Sequence, residues 1–117
     1  AHVGDSRIYL IKRGRMEQLT DDHTWKDEKN PTVRHILTRA LGVNAEVEVD
    51  IDELALSEGD IVLLCSDGLY TMVPESVILK AVTSTKDLYE ACVKLINNAN
   101  RNGGKDNITV ILAYVLK

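Results

Sequence analysis

The chain has 117 residues, about one domain at most, of which 44% are hydrophobic and 27% charged, with a formal net charge of −4. This apolar content excludes a disordered chain, and the acidic balance weighs against nucleic acid as the main partner. No apolar run, such as Ile61 to Cys65, is long enough to span a bilayer, and the opening Ala1-His2-Val3-Gly4 lacks the basic and apolar regions of a signal peptide.

Val3 to Lys12, with Ile8, Tyr9, Leu10 and Ile11, is predicted as a strand. Arg13-Gly14 is a turn signal, and Arg15 to Leu19 reads as the returning strand of a hairpin. A chain that opens inside a strand without methionine is expected to be a piece of something longer; a trimmed complete domain is the alternative. Residues 20 to 35 are polar and read as a loop, and Val33 to Leu41 fits a short helix or a loop equally. Val47, Val49 and Ile51 alternate with Glu48, Asp50 and Asp52, the period of a half-buried strand. Ser57 to Asp60 is a turn, and Ile61 to Cys65 is a strand expected to be buried on both faces.

Pro74 is suited to opening a helix over Glu75 to Val82. Ser84 or Thr85 is the expected cap of the next, with Asp87 near its positive end. Leu88, Ala91, Cys92, Leu95, Ile96 and Ala99 then share one helical face, and Gly103-Gly104 ends the helix. Ile108 to Leu116 is predicted as the closing strand. The order predicts an α+β fold, an antiparallel sheet with helices packed outside, without repeats or an internal domain boundary. Cys65 and Cys92 read as small buried hydrophobes, too few for a disulfide framework, and point to a reducing cytoplasm.

Three aspartates could carry chemistry. Asp67, in Ser66-Asp67-Gly68, follows the buried run and sits at a sheet rim on a rigid base, where Gly68 permits a sharp turn or close approach. Asp106, in Gly103-Gly104-Lys105-Asp106-Asn107, precedes the last strand. Two such carboxylates on adjacent strands could share hard cations, which prefer oxygen ligands. Read alone, each is better explained as a turn residue facing water, Asp106 in the solvated turn after a helix stop. Asp5, in Gly4-Asp5-Ser6-Arg7, is placed within the first strand, with cross-strand pairing as its structural alternative. His2, His23 and His35 show no metal-ligand spacing and read as structural or exposed. Ser6 and Ser66 lack a nucleophile elbow, and Trp25 reads as a local anchor in a polar loop.

Five segments in order resemble type 2C metal-dependent serine/threonine protein phosphatases, particularly bacterial ones. They are Val3-Gly4-Asp5-Ser6-Arg7, then Leu19-Thr20 with Asp22-His23-Thr24, and Leu37-Thr38-Arg39-Ala40-Leu41-Gly42. Leu63-Leu64-Cys65-Ser66-Asp67-Gly68-Leu69 and Gly103-Gly104-Lys105-Asp106-Asn107-Ile108-Thr109-Val110 complete the set. The resemblance implies an antiparallel β-sandwich flanked by helices, present here as a partial fold over 1–117. It implies hydrolysis of phosphoserine and phosphothreonine in proteins by a metal-activated water, with two Mn²⁺ or Mg²⁺ ions and a third in some members. Asp67 and Asp106 match family metal ligands, Asp5 matches an aspartate of the third, weaker position, and Gly68 and Asn107 match supporting residues. Implied partners are a phosphorylated protein substrate and a cognate kinase pathway.

Three departures qualify the match. The family's N-terminal half supplies another metal-binding aspartate, a neighbouring glycine carbonyl and often a phosphate-binding arginine, none of which is among these residues. The stretch from Thr24 to Leu37 is shorter than the flap of many bacterial members, and Thr71 stands where some members place another aspartate. The chain alone is therefore expected to be inactive or weak, and to self-associate through unpartnered sheet surfaces. The alternatives are a non-catalytic phosphatase-like binding or regulatory module and an unrelated metal-binding α+β domain.

Overall fold

The computed structural model describes residues 1–26, 29–30 and 36–117. Four strands, β1 (Arg7–Lys12), β2 (Arg15–Gln18), β3 (Ile61–Cys65) and β4 (Val110–Tyr114), form one antiparallel sheet in the order β2-β1-β3-β4. Three helices lie between β3 and β4: α1 (Asp67–Tyr70), α2 (Glu75–Thr83) and α3 (Leu88–Arg101). β1 and β2 meet across Arg13 and Gly14, both at positive φ (50° and 73°), the backbone of a two-residue turn whose twist matches that of the strands.

Cross-strand register sorts the side chains into two faces. Tyr9, Leu63 and Leu112 line up across β1, β3 and β4, as do Arg7, Cys65 and Val110. With period two, Tyr9, Ile11, Leu63, Cys65 and Leu112 share one face, and Ile8, Leu10, Val62, Leu64 and Ile111 share the other. The first face is covered by helices. Tyr9, Ile11, Leu63 and Cys65 form one buried core with Leu69, Val73, Ile78, Val82, Leu95 and Ala99.

The second face is largely bare. Ile111 is 54% exposed, and Ile51, Leu54 and Leu56 are also exposed. These last three join Ile8, Leu19 and Val62 around a cavity of about 430 Å³. The accessible surface is 8252 Å². A compact monomer of 13.0 kDa would present roughly 6,300 Å². The radius of gyration, 15.1 Å, likewise exceeds the roughly 13 Å of a compact chain this long. The excess is what a half-covered sheet produces.

Several boundaries differ from expectation. β1 begins at Arg7, because Gly4 and Asp5 form a bend outside the ladder. The predicted strand around Val47 to Ile51 shrinks to one bridge between Asp50 and His2. Its neighbour turns away at that bend, and a ladder needs a partner that runs alongside. β3 is buried on its helix face, with Leu63 and Cys65, but Val62 and Leu64 are only half-buried, since among the described residues the other side is covered only in part, near Ile51, Leu54 and Leu56. The closing strand is trimmed to Val110–Tyr114. Cys92 is only partly buried, whereas Cys65 is buried as expected.

Pro74 does open α2. The cap of α3 is Asp87, whose Oδ1 accepts from the Tyr89 and Glu90 amides at 2.7 and 3.2 Å. Ser84 instead closes α2, and the Thr85 hydroxyl donates back to Ala81. The ambiguous segment from Val33 begins outside the described residues; within them, Leu37 bridges to Thr24.

Truncating Leu63 to Ala should cost about 2–5 kcal/mol, whereas Ile111→Ala should stay within about 0.5 kcal/mol. Urea unfolding of both variants checks this two-faced reading. Equal losses would show that both faces are packed.

Candidate metal centre

The helix-covered strands deliver two turns to one rim of the sheet. β3 ends at Cys65, paired with Val110 at the start of β4. Ser66 and Thr109 extend that pairing: the Ser66 amide donates to the Thr109 carbonyl at 3.1 Å, and the Thr109 amide donates to Ser66 Oγ at 3.0 Å. Ser66 Oγ in turn donates to the Asn107 carbonyl at 3.2 Å. Asp67 opens α1 in the next position, and Asp106 caps its own turn by accepting the Asn107 amide at 2.7 Å.

Gly68 makes this meeting sterically feasible. A Cβ at that position would lie 2.2 Å from the Asn107 carbonyl oxygen and 3.3 Å from an Ile108 side-chain carbon. The turn of Asp67 and the turn of Asp106 are therefore packed backbone to backbone, on adjacent strands as expected.

Asp5 is tied to the same rim. The Tyr70 hydroxyl, from α1, donates to the Asp5 carbonyl at 2.6 Å. The Arg7 guanidinium lies over the Tyr70 ring at 3.6 Å and grips Asp22 with two bonds of 2.9 and 2.7 Å. Burial works against the Arg7 charge, but its bonds to Asp22 and Tyr9 outweigh this and raise its pKa. Burial first, then the charges of Asp22, Asp5 and Asp67, pushes the Tyr70 hydroxyl up, so it stays a neutral donor.

A second cluster, invisible to spacing along the chain, joins His2, His23 and Asp50, whose ligand-type atoms lie within 4.8 Å of one another. Both histidines are buried and structural, the first of the two alternatives, structural or exposed, that the sequence left open. His35 lies outside the described residues. The hydrogen bonds argue against a metal here. The Gly4 amide donates to His23 Nδ1 at 3.1 Å, so the ring proton sits on Nε2, which donates to Asp50 at 2.6 Å. Neither ring nitrogen of His23 keeps a free lone pair, whereas His2, which donates from Nε2 to the Ser6 carbonyl, keeps Nδ1 buried without a hydrogen-bond partner. Arg39 already supplies the positive charge, donating to Asp50 at 2.8 Å. The set is a clamp: it fastens residues 38–50 to the bend before β1, with the Thr38 amide on the His23 carbonyl and paired bonds between His2 and Asp50.

Only His2, His23 and Asp50 among the described residues bring three ligand-type side chains within 4.8 Å of one another, and Asp5, Asp67 and Asp106 are not part of such a group. Among the described residues neither Asp67 nor Asp106 enters an ion pair. Both offer oxygen donors from turns held in contact, and Asp5 lies one tyrosine away. Such an all-oxygen set suits Mg²⁺ or Mn²⁺. Sequence reasoning missed Tyr70, whose tie to Asp5 spans 65 positions, and the Arg39–Asp50–His23 clamp.

The Stage II sporulation protein E (SpoIIE) family model matches residues 7–116. The serine/threonine phosphatase stp of Listeria innocua is 43% identical, over 96% of this chain and 49% of the relative. The structure of the S. agalactiae serine/threonine phosphatase superposes with a TM-score of 0.90 at 37% identity, over 97% of this chain and 52% of that one. The catalytic domain of the serine threonine protein phosphatase PstP, in complex with two manganese ions, matches with a TM-score of 0.80 at 39% identity, over 99% of this chain and 52% of that domain. The chain thus spans about half the length of these relatives.

Two outcomes test the geometry. Gly68→Ala should destabilise the fold by about 1–3 kcal/mol, because the two turns must separate, as thermal unfolding will report. The His23 and Arg39 bonds hold the Asp50 carboxyl below the ordinary 3.8. Its contribution to stability is complete above that value and is lost as pH falls through the lowered folded pKa. Asp50→Asn should therefore flatten the acid limb of the unfolding midpoint plotted against pH, and an unchanged limb would count against the clamp.

Proposed function

The chain belongs to the SpoIIE and type 2C serine/threonine phosphatase family, and from that membership we propose that the protein hydrolyses phosphoserine and phosphothreonine in other proteins, using Mn²⁺ or Mg²⁺. The observation that carries this reading is the packing of Gly68 on Asn107, which puts Asp67 and Asp106 on touching turns. Asp67 and Asp106 hold the cations, Asp5 serves a third and weaker position, and Gly68 and Asn107 support the turns. Bound divalent cations supply acidified water and neutralise phosphoryl oxygens.

The chain's own residues argue for water over a protein nucleophile. The Ser66 hydroxyl is committed at both ends, donating to Asn107 and accepting from Thr109. Burial pushes the Cys65 thiol up to about 11, so it is no thiolate at neutral pH. No covalent phosphoenzyme forms in this reading.

The relatives are about twice as long. In this reading chain beyond residues 1–117 supplies a further metal ligand and covers the bare face of the sheet. The 117 residues alone then bind cations loosely, turn over little and self-associate. The substrate is a phosphorylated protein within a kinase pathway, met in the cytoplasm. No described helix is long and apolar enough to cross a membrane.

With Mn²⁺, the full-length protein should release phosphate from a phosphothreonine peptide, and Asp67→Asn should lower kcat by about a hundredfold or more. The isolated 117 residues should leave p-nitrophenyl phosphate nearly untouched. Brisk turnover by them that Asp67→Asn abolishes would disprove the need for a second half. Turnover indifferent to chelation and to Asp67→Asn would remove the metal reading altogether.

A further inference from the structure

The Gly4-Asp5-Ser6 bend has every backbone carbonyl occupied. The Gly4 carbonyl accepts from the His23 amide at 2.9 Å, that of Asp5 from the Tyr70 hydroxyl at 2.6 Å, and that of Ser6 from His2 Nε2 at 2.8 Å. Two of these donors come from the clamp. The third comes from α1, three residues after Asp67. Its ring is fixed independently, by the Arg7 guanidinium that Asp22 and the fully buried Tyr9 hold in place at 2.7 to 3.0 Å.

We propose that Tyr70 is a positioning residue that sets where Asp5 stands relative to Asp67, and so governs the affinity of the Asp5-dependent cation position. The inference rests on the metal reading above and deepens it. α1 carries Asp67 at one end and Tyr70 at the other, so a single short helix fixes one ligand by its backbone and the other through one hydrogen bond. The clamp holds Gly4 and Ser6 on either side, and the Tyr70 bond ties Asp5 itself to α1. The hydroxyl touches neither cation nor substrate in this arrangement; it acts only through the Asp5 backbone.

Tyr70→Phe is the informative change, because it keeps the ring under Arg7 and deletes only the donor. Mn²⁺ binding to the full-length protein, followed by titration calorimetry and by the paramagnetic signal of free Mn²⁺, separates tight from weak positions without any assay of activity. Wild type should show both classes. Asp5→Asn should remove the weak class. Tyr70→Phe should weaken that class roughly three- to tenfold, the equivalent of one hydrogen bond, and leave the tight class unchanged. The double variant should match Asp5→Asn alone, since the tyrosine acts through Asp5.

A merely structural tyrosine would lower the unfolding temperature and leave both classes where they were, which overturns the proposal. So would a loss confined to the tight class. A wild-type protein that binds no Mn²⁺ would instead bring down the metal reading itself, an outcome distinguishable from failure of the variant.

Discussion

The approach of Gly68 to the Asn107 carbonyl is the contact on which the rim of this sheet depends. Backbone meets backbone there, leaving no room for a side chain at position 68. Because the turns touch, Ser66 can close both ends of its hydroxyl, α1 can start one residue after β3, and Tyr70 lands beneath Arg7. The turns that carry Asp67 and Asp106 are thereby brought together by one steric fact. Rigid backbone, more than long side chains, sets the geometry, as a site with exacting distances requires.

The sequence was most legible where local chemistry decides structure. Arg13-Gly14, Pro74 and the apolar stripe of α3 each state their role within a few residues, and the structure agrees. The meeting of the Asp67 and Asp106 turns was also foreseeable, because each flanks an apolar strand. What was illegible depended on long-range partners. Val47, Val49 and Ile51 have the alternation of a strand, yet alternation cannot reveal that the neighbouring segment bends away after His2. The apolar run of β3 suggested burial on both sides, but an apolar face does not report whether anything covers it. Asp87 outcompeted Ser84 and Thr85 as cap because those two were already used by the end of α2.

The His2, His23 and Asp50 cluster shows why proximity of ligand-type atoms is not itself a metal site. Protons decide. The Gly4 amide fixes the tautomer of His23, and that tautomer turns the remaining nitrogen into a donor toward Asp50. Arg39 completes the charge balance and reaches towards Glu48 at 3.6 Å. The His23 nitrogens and the Asp50 oxygens have been spent on joining three segments, and only His2 Nδ1 of the cluster is left without a partner. The oxygen-rich rim, by contrast, leaves Asp67 and Asp106 without ion-pair partners among the described residues.

The clamp has a corollary for loop length. Residues 24–37 leave and rejoin the body through the Thr24–Leu37 bridge, with the Thr38 amide on His23 just behind it. A loop joined at its base can change length without disturbing that base. Lengthening it adds a closure penalty that grows only with the logarithm of its size, and the strands beneath do not register the change. Added length between Thr24 and Leu37 therefore changes the outline of the protein while the strands and turns that carry Asp67 and Asp106 keep their places.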